Sequence, residues 1–194
     1  MKKAIIFIMI SGRMFAQSPI IPLELWNGRS IPGSYVKDVN NLLDTFEGTY
    51  LYQNNGVLFK IVLEKKEMTY NQQFYEDVII GEFEYEDVHN IVNTLSELTY
   101  DPAAPLAHHL FGHFIRGKNL YPKCEDCADD EKRLLLIFND TQVGGRLLLR
   151  KVFAPDGSAA LEAKRTLQYP MAGKPEDFPE PIVPGGTYLM IKQP

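Results

Sequence analysis

From Gly48 to the C-terminus the apolar residues of this chain recur at every second position, and that period decides what it can fold into. In extended chain, successive side chains point to opposite faces, so a period of two marks strands with one face buried. Val57, Phe59, Ile61 and Leu63 fall on one face of a strand over 57–65, with Lys60 and Glu64 on the other. Over 78–86, Ile79, Gly81, Phe83 and Tyr85 repeat the pattern against Glu82, Glu84 and Glu86. Residues 49–53 form a strand before them, and Asn54-Asn55-Gly56 is a hairpin turn. Further strands are expected over 106–115, 133–138, 146–153, 159–169 and 187–192. Gly144-Gly145 and Pro155-Asp156-Gly157 supply turns between three of them. Residues 91–100 fit either a polar edge strand or a short helix, and 116–132 is a long loop. Residues 170–186 carry Pro175, Pro179, Pro181 and Pro184 and are too proline-rich for regular structure.

Ahead of the strands, residues 38–47 predict one short helix. Asp38 is the N-cap, Val39, Leu42, Leu43 and Phe46 share a face, and Gly48 stops it. Eight or nine short strands joined to their neighbours predict a mainly β protein. Its antiparallel meander closes into a barrel-like or sandwich domain. Closure also removes the free edges that promote aggregation. Neither an internal repeat nor a linker divides the chain, so residues 18–194 are read as one domain.

Residues 1–17 are read as a secretory signal. Lys2 and Lys3 precede an apolar run over 4–10, and small Ala16 stands near the expected cleavage point. That run is too short to span a bilayer as a helix, so an exported protein in the periplasm or outside the cell is expected. Neither Cys124 nor Cys127 follows the signal, so no lipid anchor is expected. The net charge is −5, and removal of Lys2, Lys3 and Arg13 would leave the domain more acidic. Without a Lys/Arg cluster such a domain is a poor partner for nucleic acid.

The helix running into Phe46-Glu47-Gly48-Thr49-Tyr50, followed by strand, Asn-Gly turn and strand, resembles the entry of lipocalin-like barrels. Tyr50 stands where those barrels carry tryptophan. The whole layout also resembles a group of secreted proteins of Gram-negative bacteria without an established activity. Ala16-Gln17, the entry Pro19-Ile20-Ile21-Pro22 and the closing Pro184-Gly185-Gly186-Thr187-Tyr188-Leu189 carry that resemblance. It implies export and a β-rich fold and leaves function open.

Cys124-Glu125-Asp126-Cys127 sits among acids that disfavour a reactive thiolate, and one such pair supplies half of a zinc site. A local disulfide at the tip of the long loop is expected instead. His109 and His113 are the candidate metal ligands, both in a cluster with His108, although the HExxH form is absent. Glu82, Glu84 and Glu86 read as a solvated sheet face. No catalytic elbow, phosphate loop or dinucleotide fingerprint occurs, and no cofactor is implied. The leading expectation is a non-enzymatic binding module for a small apolar ligand or a cell-envelope component. Tyr50, Phe59, Ile61, Phe83 and Tyr85 face the interior and are its candidate contacts. The alternatives are an extracytoplasmic hydrolase assisted by metal at His109 and His113, and a small outer-membrane barrel.

Overall fold

The computed structural model describes residues 19–29, 31–169, 176 and 178–194, so the signal expected over 1–17 lies outside them. Its strands are β1 (Ile20–Pro22), β2 (Tyr35–Lys37), β3 (Gly48–Asn54), β4 (Val57–Tyr70), β5 (Tyr75–Glu86) and β6 (Ile91–Asn93). They continue with β7 (Leu110–Arg116), β8 (Arg133–Asn139), β9 (Gly144–Phe153), β10 (Ala159–Leu167) and β11 (Gly186–Lys192). Eight of them form a closed antiparallel barrel in the order β3-β4-β5-β7-β8-β9-β10-β11. Ile191 and Lys192 return to Leu51 and Tyr50, joining β11 to β3. On the other side Ile79, Ile80 and Gly81 pair with Gly112, Phe111 and Leu110, joining β5 to β7.

Two glycines make that last seam. A Cβ on Gly81 would lie 2.6 Å from the Val62 carbonyl and 2.7 Å from Leu63 Cδ2, so nothing larger fits between β5 and β4. Gly112 takes φ +144°, a backbone state that L side chains rarely adopt. It sits in the irregularity between Phe111 and Phe114 where the pairing of β7 with β8 shifts register.

Side chains fill the lumen. Phe59, Phe83 and Phe138 are fully buried, and Tyr85 and Tyr188 are nearly so. The Phe59 ring stacks on Phe138 at 6.0 Å and meets Tyr188 edge-on at 5.2 Å, while Phe83 meets Phe138 at 5.1 Å. Such edge and offset contacts are the favoured geometries of aromatic packing. The lumen is apolar, the reverse of the polar interior of a membrane-spanning barrel, and Lys60, Glu64 and Lys164 stand on the outside of the wall. No helix among the described residues is long and apolar enough to cross a membrane.

Both ends of the barrel are sealed. At one, the chain over 38–47 is shorter in helix than its pattern suggests: only Leu43–Phe46 winds, as a 3-10 turn. Asn41 takes φ +52°, which breaks an α-helix before it begins. Asp38 caps the turn instead, accepting the Leu42 and Leu43 amides at 2.9 and 2.8 Å. Leu43 and Phe46 are thereby buried completely. At the opposite end Arg165 and Asp140 pair at 3.0 Å with no exposure of either side chain. Arg165 also donates to the carbonyls of Val183 and Val143 and lies 4.0 Å above the Phe138 ring. Asp140 accepts the amides of Val143 and Val183, which draws the 182–184 segment over the opening.

Strands β1 and β2 were not anticipated from the sequence. They pair in parallel, and β2 continues the sheet beside the first residues of β5. Over 106–115 the strand begins only at Leu110, and 91–100 divides into β6 and a 3-10 turn at Leu95–Glu97.

Removing one partner of a buried ion pair leaves the other charged and unpaired, at about 3–5 kcal/mol. Asp140→Ala is therefore expected to lower unfolding free energy by that amount, read from guanidinium denaturation. A change below about 1 kcal/mol would show that the Arg165 pair does not hold the barrel end shut.

Candidate functional site

The outer wall of β7 to β10 carries apolar residues where a solvated barrel wall would carry polar ones. Register aligns Phe114, Leu135, Leu148 and Lys164 across four strands, and Phe111, Ile137, Arg146 and Thr166 lie on adjacent outward positions. The residues between them, Leu134, Leu136, Leu147, Leu149 and Ala163, face the lumen. Leu135 and Leu148 are only 7% and 9% exposed although they point outward, because flanking segments rise on either side of them. Tyr121-Pro122 forms one rim and Leu167-Gln168-Tyr169 the other, enclosing a groove of about 560 Å³. A second depression of about 260 Å³, bordered by Phe114 and Arg116, continues it through Leu135, Arg146 and Gln168.

Three cations stand over this apolar floor: Arg116, Arg146 and Lys164. No carboxylate among the described residues forms an ion pair with any of them. The Arg116 Nε is buried without a hydrogen-bond partner, and its guanidinium lies 5.7 Å from the Phe114 ring. Burial, and then the neighbouring charges of Arg146 and Arg133, hold its pKa below the usual arginine value. The groove thus favours negative charge beside an apolar body.

Loop 117–132 builds the first rim by folding back along the wall. Arg133, at the start of β8, donates to the carbonyls of Gly117, Leu120 and Pro122 at 2.9, 3.3 and 2.8 Å. Arg150, on the outer face of β9, holds Asp126 at 2.7 Å and Glu131 at 2.6 Å. Those hydrogen bonds hold both carboxyls below the usual carboxylate range. The Cys124–Cys127 disulfide is formed, with Cα atoms 5.4 Å apart, and ties one turn of this loop. Its sulfurs are therefore not available to a metal with Asp126.

The other sequence candidates lie elsewhere. Tyr50, Phe59, Ile61, Phe83 and Tyr85 all face the lumen and are at most 2% exposed, packed into the core. Burial pushes the Tyr50 hydroxyl up to about 12, and Tyr50 also borders an open depression near Lys151 and Lys192. His109 and His113 turn to different carboxylates: His109 Nδ1 lies 2.6 Å from Glu82, and His113 Nδ1 lies 2.7 Å from Glu76. The register shift after Phe111 breaks the alternation that would align them. Glu82 does not lie on a solvated face: it is completely buried, because residues 87–109 cross over that side of β5. Glu84 remains on the surface beside Lys60 and Asn93.

The groove went unread in the sequence, although its signal is present. Leu134-Leu135-Leu136-Ile137 and Leu147-Leu148-Leu149 are unbroken apolar runs, which mark strands covered on both faces.

The fold and this wall define a small antiparallel β-barrel with a filled lumen and a basic, apolar-floored groove outside it. Over residues 1–193 the chain matches the model of a family of unknown function, DUF6705, and belongs to that family. No curated protein and no solved structure matches it.

Arg133→Ala removes three hydrogen bonds that hold the rim, so limited proteolysis is expected to cut within 117–132 while the barrel resists. An uncut loop would show that Arg150 and the disulfide suffice. Acid has a related effect. Depressed carboxyls stabilise fully above their ordinary values, and that contribution is lost as pH falls through the lowered ones. Amide-exchange protection of the loop should hold from pH 7 to about 5 and fall below about 4.

Proposed function

We propose that this protein is an exported, non-enzymatic binding module that takes an anionic amphiphile of the cell envelope in its outer groove. One observation carries the reading: Arg116, Arg146 and Lys164 stand together over an apolar floor without acidic partners among the described residues, in a chain of net charge −5. A cation over apolar surface loses part of its hydration, and an anion seated there compensates for it. The groove, at about 560 Å³, falls within the about 300–1,000 Å³ typical of small-molecule sites. Leu135, Leu148, Ile137 and Leu167 would receive an acyl chain, and the three cations its carboxylate or phosphate. In this reading Tyr50, Phe59, Ile61, Phe83 and Tyr85 keep the wall rigid, which preorganises the groove. Export is supported by the disulfide, which suits an oxidising compartment.

Calorimetric titration with oleate, and with uncharged oleyl alcohol as comparator, tests the assignment. Saturable binding of one oleate per chain is expected, weakened at least about tenfold in Arg146→Gln/Lys164→Gln with thermal stability retained, which corresponds to about 1.4 kcal/mol. The alcohol should bind more weakly and respond little to that double substitution. Equal oleate affinity in both proteins, or no saturable binding, would refute the groove as the site.

A further inference from the structure

We propose that Glu82, Glu97 and His109, with His108 holding the other Glu82 oxygen, form a binding site for one divalent transition-metal ion, with zinc the best chemical fit. The donors come from three segments of the fold. Glu82 projects outward from β5 under the crossing formed by residues 87–109. Glu97 ends the 3-10 turn in that crossing, and His108-His109 lead into β7.

The arrangement is convergent. Nδ1 of His108 lies 2.9 Å from one Glu82 oxygen, and Nδ1 of His109 lies 2.6 Å from the other. Thr94 fixes the carboxylate further, its hydroxyl donating at 2.7 Å while its oxygen accepts the Phe83 amide at 3.1 Å. The Glu97 carboxylate is 4.0 Å from His109 Nδ1. Ligating atoms of Glu82, Glu97 and His109 all fall within 4.8 Å of one another. One imidazole and two carboxylates within reach of one point, with His108 on the other Glu82 oxygen, make a donor set that suits zinc.

Charge points the same way. Glu82 is fully buried, and its partners among the described residues are the Thr94 hydroxyl, the His109 amide and two imidazoles, with neither lysine nor arginine paired to it. A buried carboxylate needs a compensating cation or a full set of donors. A divalent ion beside Glu82 supplies a compensating charge at one point, and Glu82 with Glu97 neutralises it. Zinc ligands sit about 2.0–2.2 Å from the ion, which spaces tetrahedral donors about 3.3–3.6 Å apart, so His109 and Glu82 must separate by up to about 1 Å while Glu97 draws in. Glu97 is 63% exposed at its side chain and is free to swing inward, whereas Glu82 is pinned. The His109 side chain is 19% exposed, and with His108 it borders an open depression of about 460 Å³. An ion has a route in from that side.

This inference is independent of the groove proposal, and its test uses the metal alone. Untagged, chelator-treated protein is titrated with Co²⁺ and Zn²⁺, with calorimetry, Co²⁺ visible absorption and imidazole NMR shifts as readouts. One ion per chain is expected, with the intense visible bands of a four-coordinate cobalt site and shifts at His108 and His109. His109→Ala should abolish binding while circular dichroism stays unchanged. Glu97→Gln, at an exposed position that does not endanger folding, should weaken binding by about 10–100-fold. Absence of stoichiometric binding by the wild type would overturn the proposal. So would binding that persists in His109→Ala, since the ion would then lie elsewhere.

Discussion

The second edge of β5 is the constraint from which the rest of this structure follows. Its first edge is occupied along nearly its whole length by β4, in eleven aligned pairs. Its other edge is divided in succession among β2 at Tyr75 and Glu76, β7 at residues 79–81, and β6 at residues 84–86. On this edge barrel closure rests on the middle portion, three residue pairs long. The end portions bring the N-terminal segment and the 87–109 crossing over the outside of the same strand. Glu76, Val78, Ile80 and Glu82, which point outward, are in consequence as buried as the inward Ile79 and Phe83. A strand covered on both faces must carry its polar side chains paired, and here Asn71, Thr94 and three histidines meet them.

Much of the barrel was legible because a period of two depends only on local geometry. Val57 to Leu63 and Ile79 to Tyr85 alternate, and the lumen holds the apolar set that alternation selects. Asn54-Asn55-Gly56 and Pro155-Asp156-Gly157 lie in the turns they announce. What alternation does not carry is which distant segment covers the opposite face. Glu82, Glu84 and Glu86 form one stripe in the sequence, yet the 87–109 crossing buries the first and leaves the other two outside. The run Val78-Ile79-Ile80 was the available warning that β5 is covered twice. Residues 38–47 failed differently: their apolar spacing suits a helix, but Asn41 in the left-handed region and an Asp38 side chain reaching two amides give the backbone a non-helical solution.

Charge is distributed with the same economy. Arg165 with Asp140 and Lys65 with Asp38 are spent on the ends of the barrel, where an opening would admit water to the aromatic core. Arg133 and Arg150 are committed to the loop that forms the rim. Arg116, Arg146 and Lys164 make no such contact among the described residues; Arg146 and Lys164 lie on the paired strands β9 and β10, and Arg116 reaches them from β7 across β8. Unpaired like charges on adjacent strands are mutually unfavourable. Beside Leu135 and Leu148 they give the wall the unbalanced charge on which the proposed binding role rests.

A filled lumen changes where a barrel of this size can act. Eight strands enclose either packed side chains or one small ligand, and the stacked Phe59, Phe83 and Phe138 occupy that space here. In the proposed reading, recognition is left to the outside of the wall, where strands cannot enclose a ligand and added segments must form the sides. Two additions do so: loop 117–132 rises beside β8 and β9, and crossing 87–109 roofs β5. The spaces they frame are contiguous, since the groove's continuation and the depression at His108 and His109 share Ile137, Gly145 and Gln168. The chemistry-bearing residues of the protein therefore lie along one belt of the outer wall, on the side where the sheet closes. That placement follows from closure itself, because the short β5–β7 seam is where the chain must leave the barrel and cross over it.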